Sequence, residues 1–100
     1  MHYLYVLYSA KSDKYYVGYT QRPRERLYEH NNAEINTYTS KHRPWVMHGL
    51  FEVGFDKTEA IRIERFIKRQ KSRKLIEKIV LGIELNGVLS QLVRVPQLRD

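Results

Sequence analysis

The first twenty residues leave the chain little freedom. Tyr3-Leu4-Tyr5-Val6-Leu7-Tyr8 and Tyr15-Tyr16-Val17-Gly18-Tyr19-Thr20 are aromatic and branched runs, separated by the polar Ala10-Lys11-Ser12-Asp13-Lys14. Such side chains pack well on a pleated surface, and alternation bounded by turn residues reads as strands. Residues 3–9 and 15–20 are therefore expected to pair as an antiparallel hairpin. Side chains alternate between faces, so an unbulged hairpin with an even-numbered loop puts Tyr5 and Tyr16 on one face. All eight tyrosines lie within the first thirty-eight residues, and the second strand runs directly into Arg22, Arg24, Arg26 and His30. Phenols followed at once by guanidiniums point to a site that handles phosphate.

Downstream, Thr20 or Gln21 is placed to cap a helix with Pro23 in its first turn, where the missing N–H costs nothing. That helix carries Arg26, Leu27 and His30 and is expected to end near Asn31-Asn32. Arg26 and His30, four residues apart, share one of its faces. Residues 33–44 read as a loop, and residues 45–55 as a third strand, bent or broken around Gly49. Asp56-Lys57-Thr58-Glu59 resembles a capping box with Asp in the cap role. The helix it starts runs to about Lys71, with Ala60, Ile63, Phe66 and Ile67 as its buried stripe. Ser72 starts another, with Leu75, Ile76, Ile79 and Val80 inward. From Gly82 no periodicity is firm, and Asn86-Gly87 suggests a turn. The order β-β-α-β-α-α predicts an α/β (α+β) domain over residues 1–82: a small three-stranded, mixed or antiparallel sheet sandwiched by helices. Residues 83–100 are expected to be a C-terminal tail of unspecified structure.

One hundred residues suffice for one modest core, and a hydrophobic fraction of 42% argues against disorder. Without cysteine there is no disulfide framework, thiolate zinc site or cysteine nucleophile. No run of eighteen apolar residues and no signal-peptide core is found, so a soluble cytoplasmic protein with no membrane partner is expected. Eighteen Lys and Arg against eleven Asp and Glu give a net charge of +7. Each neutralised phosphate releases counterions, so such an excess favours a nucleic acid. Solubility is the ordinary alternative. The stretch from Arg62 to Lys78 holds eight basic and two acidic residues, and half of those charges must face away from any one ligand.

Tyr3-Leu4-Tyr5, then Tyr16-Val17-Gly18, then Arg26 and His30, then Arg43-Pro44-Trp45, then Ala60-Ile61-Arg62-Ile63-Glu64-Arg65-Phe66-Ile67-Lys68 follow one another in order and at spacing. In this the chain resembles the GIY-YIG nuclease superfamily over roughly residues 2–80. Tyr3-Leu4 stands where the name has Gly-Ile, as in the small stand-alone branch. The resemblance implies a divalent-metal-dependent endonuclease hydrolysing DNA, with branched or nicked forms and a role in repair or recombination as expectations. It implies catalytic roles for Tyr5, Tyr16, Arg26, His30 and Glu64. One of the two paired phenols would act on the attacking water, Arg26 would grip the phosphate, and His30 would assist proton movement or grip the phosphate. Glu64 would hold one Mg2+ or Mn2+. Arg22, Arg24, Lys68, Lys71, Arg73 and Lys74 are the expected DNA contacts, and the protein would gather on the nucleoid when bound. Relatives often carry a separate DNA-reading domain; specificity here is expected from a protein partner or self-association.

The chemistry agrees with that assignment on its own terms. A phenol titrates near about 10, so as a base at neutral pH it needs positive charge nearby. The planar guanidinium of Arg26 suits phosphate better than an ammonium does. A lone carboxylate completed by water and phosphate oxygens suits magnesium, and scattered acidic residues favour one ion over two. Each residue also has an ordinary reading. Tyr5 and Tyr16 are good strand residues, Gly18 is a close-packing or bulge glycine, and Arg26 is a solvated helix residue. Glu64 is spaced for an i,i+4 ion pair with Lys68, and Trp45 reads as core. His2, His42 and His48 read as incidental. Two other functions fit the same chain: a nucleic-acid-binding module without turnover, and an interaction domain of a repair assembly.

Overall fold

The expected antiparallel hairpin forms. β1 (His2–Ser9) and β2 (Lys14–Thr20) pair antiparallel, with Tyr5 opposite Gly18 and Leu7 opposite Tyr16. Tyr5 and Tyr16 therefore share a face. The computed structural model describes residues 1–82 and 85–96. On the other side of β1 lies β3 (Val46–Gly54), also antiparallel. Val6 faces Gly49 while Leu7 faces Met47, so His48 is an extra residue that bends this strand without breaking it.

The expectation of three strands is corrected to four. β4 (Val93–Arg94) pairs with β3, giving the order β2-β1-β3-β4, antiparallel throughout. Two residues leave no alternation to read in a sequence. What holds β4 is specific: Val95 N–H donates to the Leu50 carbonyl at 2.8 Å, and Arg94 donates to the Val80 carbonyl at 2.7 Å. The Arg94 guanidinium also lies 5.4 Å from the Phe51 ring centroid. The class is α+β, with three helices on a four-stranded antiparallel sheet.

α1 (Pro23–Asn32) begins one residue later than its cap signal suggested. Proline disfavours helical backbone in the residue before it, so Arg22 is non-helical (φ −134°, ψ 80°) and becomes the N-cap. The Thr20 hydroxyl instead accepts from Arg22 N–H at 3.0 Å. α2 (Lys57–Gln70) starts where Asp56 accepts from Thr58 N–H at 2.9 Å, and α3 (Arg73–Leu81) where Ser72 accepts from Leu75 N–H at 3.1 Å. Each such cap contributes about 1 kcal/mol. α2 stops at Lys71, which turns left-handed (φ 47°) so that α3 can set off in a new direction.

Period 2 then sorts the sheet into two faces. Leu4, Val6, Val17 and Phe51 meet Ile63 and Ile67 of α2, Ile79 of α3, and Leu89 and Leu92 from the segment leading to β4. Phe66, Leu75, Ile76 and Val80 pack around this cluster half-buried. Each fully buried isoleucine contributes roughly 1.5–3 kcal/mol relative to leaving it in water. The opposite face carries Tyr5, Leu7 and Leu50, closed by Leu27 of α1 and by Trp45. Trp45 is core, as its sequence position suggested, and its indole N–H donates to the Thr39 carbonyl at 2.8 Å. With α1 on one face and α2 and α3 on the other, one rim stays open: β2 has a strand neighbour on one side only.

Candidate active site

The site lies on that open rim, and Gly18 is the reason a residue of the central strand can reach it. The Tyr5 ring extends from β1 across the spot where a side chain at position 18 would stand. A Cβ there would come within 2.5 Å of the Tyr5 phenol carbon and oxygen. Glycine is required by contact, since no unusual backbone angle is involved. The phenol passes under β2 and emerges in a pocket of about 430 Å³. Tyr5, Tyr16, Gly18, Arg22, Arg26 and Glu64 line it, together with Tyr19, Thr20, Glu25 and Glu29. Four of the five proposed catalytic residues thus meet in one cavity, drawn from β1, β2, α1 and α2.

The fifth, His30, stands behind the first. Its Nε2 is 2.8 Å from the Tyr5 hydroxyl in a buried contact. Burial, chiefly, pushes the Tyr5 phenol up to about 12, although Arg26 beside it pulls the other way. Burial also brings His30 down to about 4, helped by the charge of Arg26 and, more weakly, of Arg43. At neutral pH the phenol is therefore protonated and the imidazole neutral. With the Tyr5 O–H assigned as donor to Nε2, the imidazole proton sits on Nδ1. Contact with the Tyr5 oxygen, first, and with Glu29, second, holds Arg26 all the more firmly in its charged form.

Arg26 and His30 reach Tyr5 from one face of α1, and the end of that helix is fastened from outside. Arg43 Nε donates to the His30 carbonyl at 2.6 Å, and its Nη2 to the Ala33 carbonyl at 2.7 Å. The Asn31 side chain clasps the Trp45 backbone from both sides, accepting from its N–H at 2.7 Å and donating to its carbonyl at 3.0 Å. Trp45 in turn flanks Tyr16, with ring centroids 6.2 Å apart.

Glu64 reaches the same pocket from α2, because Ala60, wholly buried one turn earlier, lets the helix lie close to the sheet. Its ion pair with Lys68, the ordinary reading of that spacing, is present at 3.4 Å. Lys68 Nζ also sits 5.2 Å from the centre of the Tyr16 ring. Among the described residues no three His, Asp or Glu side chains converge. Of the three carboxylates bordering the pocket, Glu29 is engaged by Arg26, and Glu64 and Glu25 form no metal cluster with it; such a polar cavity fits a largely hydrated Mg2+ that borrows phosphate oxygens, and does not fit a caged ion.

Of the expected DNA contacts, Arg22 lines the Tyr5 pocket, and Lys68, Lys71 and Arg73 line a groove of about 440 Å³ that adjoins it at Tyr16. Arg73 already holds the Asp13 carboxylate at 2.6 Å and Glu77 at 3.2 Å, so it pins α3 to the hairpin turn. Arg24 and Lys74 are exposed and line neither cavity. Sequence reasoning passed over Tyr38 and Ile35. Both are large, exposed side chains in an otherwise polar loop, and that contrast was the available signal.

The family model for the GIY-YIG catalytic domain matches residues 1–77. A UPF0213 protein of Streptococcus pneumoniae serotype 4 is 37% identical over 70 residues, covering 69% of this chain and 68% of the relative. A UPF0213 protein of Bacillus licheniformis is 34% identical over 87 residues, 87% of each chain.

Proposed function

The chain belongs to the GIY-YIG family, a family of nucleases, and from that premise we propose that it is a DNA endonuclease using one divalent cation, magnesium or manganese. The observation that carries this reading is the Tyr5 hydroxyl, which is bonded to His30 behind it and opens in front onto the pocket that Arg26 and Glu64 line.

Hydrolysis requires a water to lose a proton as it attacks phosphorus. Tyr5 is protonated at rest, so it acts as a relay: its oxygen takes the water's proton while its own passes to His30 Nε2. His30 is a weak base as long as Arg26 is bare. A phosphate on Arg26 offsets the guanidinium charge that opposes the imidazolium, so basicity rises when substrate is in place. Arg26 leaves Glu29 readily for this, since an exposed ion pair is weak. The guanidinium then also stabilises charge building on the phosphorane oxygens. Tyr16 lacks such a proton acceptor and, beneath Lys68, orders water and phosphate at the pocket mouth. Glu64 would hold the cation, which supplies Lewis-acid stabilisation of the phosphate. Preference for nicked or branched DNA, with a partner or second copy adding specificity, belongs to the same reading, as does a place in repair.

The test is cleavage of labelled linear, nicked, flapped and four-way DNA with magnesium, manganese or EDTA. Wild type cuts at least one substrate, and EDTA stops it. Tyr5→Phe and Glu64→Ala each cut at least about a hundredfold more slowly while still binding DNA. Full activity in both variants would overturn the site. Folded wild type that binds every substrate and cuts none would instead favour the binding module.

A further inference from the structure

A third cavity, of about 540 Å³, opens on the other side of Arg26, between α1 and the 33–44 loop. Its walls are His30, Ala33, Ile35 and Tyr38, and its polar groups include Thr37 and Thr39, with Tyr16, Arg26 and Glu29 shared with the catalytic pocket. We propose that this cavity is a subsite for one unstacked nucleobase next to the cleaved phosphodiester, with Tyr38 as its stacking face. The proposal rests on the nuclease reading and adds to it what the protein grips beside the phosphate.

Charge decides which part of a nucleotide fits here. The groove on the far side of Tyr16 carries Lys14, Lys68 and Lys71 and suits backbone phosphates. Among the described residues the Ile35 cavity has no lysine, and its one cation, Arg26, is taken up by the cleaved phosphate in the nuclease reading, which leaves the Glu29 carboxylate on the cavity wall. A phosphate would gain little there, whereas a flat, mostly apolar base with polar edges matches an apolar chamber with a few polar groups. Ile35 is 67% and Tyr38 50% exposed. Neither side chain serves the core, yet both border a cavity that ends at the phosphate-binding arginine. The Tyr38 ring lies 6.4 Å from that of Tyr16, with 28° between their planes, and 4.8 Å from that of His42. His42 is itself fixed by Ser12 at 2.7 Å. The platform is therefore backed on two sides. A base held in a duplex stack has no way in, so the nucleotide that enters must be unpaired or turned out of its stack.

The test is a binding cycle in EDTA, so that no cleavage is needed. Its ligands are a short oligothymidylate and an abasic deoxyribose-phosphate chain of equal length. Wild type binds the base-bearing strand about tenfold more tightly, the lower part of the range for stacking on an aromatic side chain. Tyr38→Ala removes that advantage and leaves the abasic affinity unchanged, Tyr38→Phe keeps it, and Ile35→Ala reduces it. Lys71→Ala weakens both ligands alike and serves as the phosphate control. Equal loss on both strands in Tyr38→Ala, or no preference for bases in wild type, would overturn the subsite. A protein that shows the coupling but cuts no DNA would sink the nuclease reading alone, so the two failures are told apart.

Discussion

At the scale of single residues, Gly18 and Tyr5 act as one unit: the glycine's missing Cβ is the space that the phenol fills. Gly18→Ala would force a methyl group to within 2.5 Å of the Tyr5 ring. Overpacking of this kind costs roughly 1–3 kcal/mol, and a displaced catalytic group costs on the order of a hundredfold in rate. We expect the variant to unfold at lower urea concentration while keeping its circular dichroism, and to lose most of its cleavage; near-normal cleavage would show that Tyr5 is not the acting phenol. His30 sets a pH dependence. Its folded value of about 4 lies below the ordinary 6.5. Between these values the unfolded chain binds a proton that the folded chain refuses. Stability therefore falls as pH drops from about 6.5 towards about 4, and is flat in this group above that window. His30→Gln should show a smaller fall in urea midpoint across it than wild type, and parallel curves would rule the imidazole out as the cause.

At the scale of elements, the parts legible in the sequence are those whose stabilising signal is local and repeated. The hairpin was visible because Tyr5, Leu7, Tyr16 and Gly18 obey one alternation. α2 and α3 were visible because Asp56 and Ser72 cap them and apolar residues recur along one side. β4 was not, because two residues have no period and the bonds holding Val95 and Arg94 come from Leu50 and Val80. Leu89 and Leu92 belong to the core for the same non-local reason. Within the site, alternation put Tyr5 beside Tyr16, and a spacing of four aligned Arg26 with His30. Glu64 comes from a different element, and what pointed to it was the family resemblance together with its place on the rim of the apolar stripe, one turn after the small Ala60. The bond from Tyr5 to His30 spans 25 positions and depends on how α1 docks on the sheet, and the place of Tyr38 beside Tyr16 on how the 33–44 loop folds back; neither is encoded in a local pattern.

At the scale of the whole molecule, a net charge of +7 is spread widely, but Arg22, Arg26, Lys68 and Lys71 are gathered along the catalytic pocket and its neighbouring groove. Four phosphates neutralised on a duplex give a slope of log K against log salt of about −3.6. Titrations at several salt concentrations should find a value of that order, reduced by about one in Lys71→Ala, whereas a flat line would return weight to an interaction domain. The site is also divided between two halves that differ in how they are anchored. Tyr5 sits in a strand paired on both sides, so its amide exchanges with solvent only when the whole molecule opens. Arg26 and His30 ride on a ten-residue helix that buries only Leu27 and His30. A helix with so little buried surface is expected to open locally at lower cost than the sheet, and any such opening takes Arg26 and His30 away from Tyr5. If the proposed site is the acting one, we expect cleavage to be lost on warming at temperatures where the strands are still protected from exchange.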